Sequence, residues 1–71
     1  MRSFTELYEE YNRSIAVQKT VIGNYRKKLS AATKKSNFGE VKRLNGILCV
    51  LYEEKSELEE RAAEIEKYIS A

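Results

Sequence analysis

Few side chains in this sequence are equipped for chemistry. There is one thiol, Cys49, and eleven carboxylates, all of them glutamate, while histidine and aspartate are absent. A cysteine nucleophile needs a neighbouring base to take its proton. With no imidazole in the chain, Cys49 reads as an ordinary buried or half-buried thiol that packs like a small apolar residue. The acid pairs Glu9/Glu10, Glu53/Glu54 and Glu59/Glu60 invite comparison with carboxylate-bridged di-metal bundles. Those sites need Glu-x-x-His pairs and inward-facing acids. Here the acids fall on outward positions, and Glu9 with Arg13 and Glu57 with Arg61 are spaced as i,i+4 surface pairs. No glycine-rich phosphate loop is present. The expectation is a protein that is not an enzyme, with no cofactor and no metal.

The remaining charged constellation is basic. Between Thr20 and Tyr52 lie Arg26, Lys27, Lys28, Lys34, Lys35, Lys42 and Arg43 against a single acid, Glu40, a net +6. The rest of the chain carries six basic residues and ten glutamates, a net −4. Such a cluster has the chemistry to contact phosphates, which keeps nucleic acid among the candidate partners. No recognition-helix motif accompanies it, and the overall charge is only +2; a solvated basic tip is the plainer meaning.

The elements that carry these residues are helical. Proline is absent, and Glu, Lys, Leu, Ala and Ile are abundant. In "SFTE", Ser3 and Glu6 have capping-box spacing, and in "NFGE", Asn37 and Glu40 repeat it. The stretch "KKSNFGE" is the one credible break. The chain is therefore predicted as one domain, 1–71, with helices over 4–35 and 38–70 joined by a turn at 36–37.

Both helices carry a heptad seam. Helix one presents Phe4, Tyr8, Tyr11, Ile15, Gln18, Ile22, Tyr25, Leu29 and Ala32; helix two presents Val41, Leu44, Leu48, Leu51, Lys55, Leu58, Ala62, Ile65 and Ile69. Folded back at the turn, the seams pair in antiparallel order, and each pair of numbers adds to 73. The polar interruptions Gln18 and Lys55 fall opposite one another. A Gln–Lys layer weakens a core but fixes its register; the alternative is that Lys55 snorkels outward. The fold class expected is all-α, an antiparallel, coiled-coil-like two-helix hairpin.

Apolar residues outside the seam are unevenly placed. With the seam at heptad positions a and d, Leu7, Val21, Ile47 and Tyr68 fall at g, and Val17 and Val50 at c, all on one side of the hairpin. The opposite side, at e, is almost wholly polar. The run "ILCVLY" is thereby explained in part: Leu48 and Leu51 serve the seam, and Ile47 and Val50 face something else. An exposed apolar flank on so small a domain is best covered by another chain. A second copy would give a homodimer and a four-helix bundle; a monomer with a wide stripe is the alternative. Two rods packed head to tail would set each basic tip beside the other's acidic end. Gly23 and Gly46 would suit a close approach of helices. Tyr8, Tyr11, Tyr25 and Tyr68 lie on the seam or this flank, where core packing explains them.

A chain this short often leans on a metal, disulfides or a partner. One cysteine excludes an internal bridge and suits a reducing compartment. No long apolar run or signal-like segment is apparent, so a cytoplasmic protein without a membrane anchor is expected.

The run "SFTELYEEY", followed by "RLNGILCVLYEEKSELEERAAEIEKYI", resembles the small helical-hairpin proteins of bacterial prophages and other mobile elements. The resemblance spans most of the chain and implies no catalytic residue. It implies an accessory protein that binds and modulates another macromolecule, such as an inhibitor of a host system.

Overall fold

A computed structural model describes residues 2–70, so the outer limits of the predicted domain, 1 and 71, lie outside the described residues. Two helices, α1 (Phe4–Lys34) and α2 (Phe38–Ser70), pack against each other along their length as a hairpin. The molecule measures 51 × 19 × 14 Å, with a radius of gyration of 16.1 Å. A rounded domain of this length would have a radius near 11 Å, so the hairpin is a rod.

The first helix begins where the sequence supplies a cap. The Glu6 amide donates to Ser3 Oγ at 3.1 Å, satisfying one of the donors that a helix start leaves open. The chain reverses over three residues. Ser36 adopts a left-handed conformation with φ 56°. Its amide donates to Thr33 O, and the Asn37 amide donates to Ala32 O, both at 3.0 Å. This pair of bonds is the Schellman arrangement, in which the left-handed position usually holds glycine. Asn37 then serves the second helix as well, its Oδ1 accepting from the Glu40 amide at 3.3 Å. One residue thus closes α1 and caps α2, which is why the turn is so short. Helix α1 ends at Lys34, one residue before the predicted limit, because Lys35 forms the C-cap.

The core lies along the predicted seam. Ile15, Ile22, Ala32, Leu44, Leu48 and Ala62 are buried, and Leu44 most completely. All six are seam residues, and the rest of the seam is half-buried except at the open end, where Phe4 and Ile69 are exposed. There the Phe4 ring stacks on Tyr68, with centroids 5.3 Å apart and planes 14° from parallel, although the register predicted Ile69 as its partner. Tyr68 is the next residue round, and its flat face offers more contact than the end of an isoleucine.

The polar layer divides. Gln18 Nε2 donates across the hairpin to Glu54 Oε2 at 3.0 Å and to Leu51 O at 3.4 Å. Lys55 Nζ pairs with Glu59 on its own helix at 2.6 Å. Glu54 is at position g and Glu59 at e, so the two side chains leave the seam by opposite flanks, as in the snorkelling alternative. Among the described residues no buried side-chain polar atom lacks a partner.

Candidate functional site

The flank at g and c holds the six residues assigned to it from sequence, but in two grades. Leu7, Val21 and Ile47 are half-buried against the seam. Val17 and Val50 stand clear of the hairpin, 63% and 53% exposed, and Tyr68 is exposed while giving one face to Phe4. Val17, Val21, Ile47 and Val50 fall in the middle of the rod on this flank, with the exposed Glu54, also at g, among them; Leu7 and Tyr68 lie farther off, at the open end. The accessible surface of the chain is 5537 Å², against about 4,500 Å² for a typical folded monomer of this mass. The excess of about 1,000 Å² follows from the rod shape.

The other flank is less uniformly wet than predicted. An open cleft runs between the helices there, lined by Arg26, Leu29, Asn45, Leu48, Cys49 and Tyr52. Cys49, expected to be buried or half-buried, is exposed. It occupies position b, outside the a/d seam, where two helices leave nothing to cover it. Its neighbour Tyr52 is also exposed.

The glycines do not mediate close packing within the hairpin. A methyl group added at Gly23 or Gly46 would meet no atom within 4 Å, because both fall at outward positions.

The basic residues cluster towards the turn as the charge distribution implied, and Arg26, Lys27, Lys28, Lys34, Lys35, Lys42 and Arg43 are all exposed. Arg43 is engaged, donating through Nε at 3.1 Å and through a terminal nitrogen to Glu40 Oε1. That hydrogen bond, with the charge of Arg43 and of Lys28 behind it, holds the Glu40 carboxyl below the ordinary carboxylate range and raises Arg43. The bond from Lys55 lowers Glu59 in the same way. Lys28 lies over the Tyr25 ring, 5.0 Å from its centroid. The pairs Glu9–Arg13 and Glu57–Arg61 are not closed among the described residues, and Glu10 instead meets Arg2 at 2.7 Å. Exposed long side chains gain too little from such contacts to be held in one geometry.

Sequence reasoning passed over one tip residue. Phe38, the first residue of α2, is 74% exposed between Lys34, Lys35 and Lys42 in sequence. Its signal was available: an aromatic directly after an N-cap, with no seam position to occupy.

No group of three or more metal-ligating side chains forms among the described residues, and no helix is long and apolar enough to cross a membrane. The chain matches no protein-family model, no curated protein and no solved structure in the comparisons made.

Proposed function

We propose that this hairpin is a non-catalytic protein that works by binding other proteins, and that it associates with itself through the g/c flank to form a four-helix bundle. The observation that carries this is the mid-rod patch. Val17 and Val50 expose branched apolar side chains beside half-buried Val21 and Ile47, on a hairpin with six buried apolar side chains among the described residues. Full burial of one valine contributes about 1.5–3 kcal/mol, so covering the patch adds materially to a small fold. The resemblance to prophage and mobile-element hairpins supports the further reading of an accessory protein that modulates a host system in a cytoplasmic setting.

The test is the oligomeric state. Light scattering over a range of concentrations should give twice the chain mass for the native sequence and a monomer for Val50→Glu. Circular dichroism should be unchanged, since that side chain already faces outward. A native chain that stays monomeric at high concentration contradicts the proposal. Copurification from the native host, with the flank intact and with Val50→Glu, then identifies the partner.

A second reading is favoured by Phe38. An exposed ring with Lys34, Lys35 and Lys42 close to it in sequence is suited to stack on an unpaired base while ammonium groups meet phosphates. Mobility shifts with single-stranded DNA and RNA at low salt test it; binding should weaken with Phe38→Ala and with added salt.

A further inference from the structure

The last three turns of α1 carry a face unlike the rest of the rod. At about 100° per residue, Lys34, Lys27, Ala31, Asn24, Lys35 and Lys28 fall, in that order, across one arc of about 120°. All six are exposed. The C-cap Lys35 stays in the right-handed region, so it continues the face. Lys27 and Lys34 form one edge, Lys28 and Lys35 form the other, and the small, neutral Ala31 and Asn24 lie between them.

Nothing on the chain neutralises these lysines. Helix α1 has no acid after Glu10, and among the described residues none of the four lysines is in an ion pair. Arg43, by contrast, is held by Glu40. Four unpaired cations on one short face repel one another, and a chain of phosphates placed between the rows relieves that repulsion. Farther along α1 the same arc carries Glu6, Glu9 and Glu10, so the attraction is confined to the turn end. From Asn24 to Lys35 the face runs about 17 Å, the length of about five nucleotides at the 3.4 Å spacing of a stacked strand. Three residues beyond Lys35, across the turn, stands the exposed ring of Phe38.

Resting on the second reading above, we propose that a single strand of DNA or RNA lies lengthwise on this face, its phosphates between the two lysine rows and its end base stacked on Phe38. Bases within a duplex are covered on both faces by their neighbours, so the ring selects an unpaired one. Phosphate contacts carry no sequence information, and stacking tolerates every base, so little sequence preference is expected. The glutamates at the far end of the same arc repel the strand and hold it at the turn.

Fluorescence anisotropy with labelled oligothymidines of five and twenty nucleotides, at low and rising salt, tests the site. The shorter strand should bind nearly as tightly as the longer, and four phosphate contacts should give a salt slope of about −3. Lys27→Gln with Lys34→Gln should halve that slope and weaken binding about tenfold. Lys19→Gln with Lys67→Gln, which makes the same change in net charge away from this face, should alter little. Circular dichroism should show all these chains equally helical, since the substituted side chains are exposed. Phe38→Trp gives a chain without other tryptophan a reporter at the tip, and its fluorescence should fall as the strand is added. Equal losses in the two charge-matched pairs overturn this face while leaving the second reading standing. Equal affinity for a duplex of the same length overturns the single strand as ligand, as does binding to phosphatidylserine vesicles without binding to the oligonucleotides. A native chain that binds no nucleic acid at low salt removes this proposal together with the reading beneath it.

Discussion

The amide of Gln18 crosses the hairpin to the carboxylate of Glu54, 3.0 Å away, and does not turn to Lys55 in the layer it shares. The amide is served from the next helix, and the ammonium of Lys55 goes to Glu59. Two polar side chains therefore share a core layer without depending on one another. Replacing both with leucine should stabilise the hairpin by about 1–3 kcal/mol, because apolar packing replaces two partly desolvated polar groups. Thermal unfolding at fixed protein concentration measures this, and a lowered midpoint would show that the layer contributes net stability.

The turn stores a correctable strain. Ser36 holds φ 56°, a conformation that costs an ordinary side chain about 1–2 kcal/mol and glycine little. Ser36→Gly should therefore raise stability by about 0.5–1 kcal/mol, part of the gain being lost to the greater freedom of glycine in the unfolded chain. Asn37→Ala should act oppositely, lowering stability by about 1 kcal/mol through loss of the cap on α2. Chemical denaturation of the two variants resolves the difference in sign.

Leu44 is the most completely buried side chain. Leu44→Ala should cost about 2–5 kcal/mol, enough to leave so small a domain largely unfolded at room temperature. Gly23→Ala, at a position where a methyl group meets nothing within 4 Å, should instead stabilise by up to about 1 kcal/mol. Circular dichroism during thermal unfolding distinguishes the two. A stable, fully helical Leu44→Ala chain is incompatible with this core.

Glu40 and Glu59 each make a small contribution to the acid limb of stability. Arg43 and Lys55 hold their carboxyls below the ordinary value of 4.5. In the folded chain they bind protons less readily than in the unfolded one, so their contribution is fully present above that value. It is lost as the pH falls through their lowered values. Helicity should be level from pH 7 to about 5 and decline below about 4. The decline should soften in Glu40→Gln, which has no such carboxylate to protonate. An unchanged acid limb in that variant would remove Glu40 from the account.

Much of this hairpin was decided by features that neighbouring residues impose on one another. Heptad spacing places Leu44, Leu48, Ile15 and Ile22 on one stripe whatever the helix meets, and Ser3 and Asn37 cap with their own side chains. With one break and two stripes of equal length, an antiparallel hairpin is the arrangement that buries both. Tertiary structure decided matters of competition among near-equal partners. Phe4 chose Tyr68 over Ile69, Glu10 chose Arg2, and Gln18 and Lys55 parted to opposite flanks. These choices differ by small energies that depend on distances between the helices, which spacing along the chain does not encode. The exposure of Cys49 and Phe38 belongs to the same class. Periodicity tells which way a side chain points; only the packed molecule determines whether anything stands there to cover it.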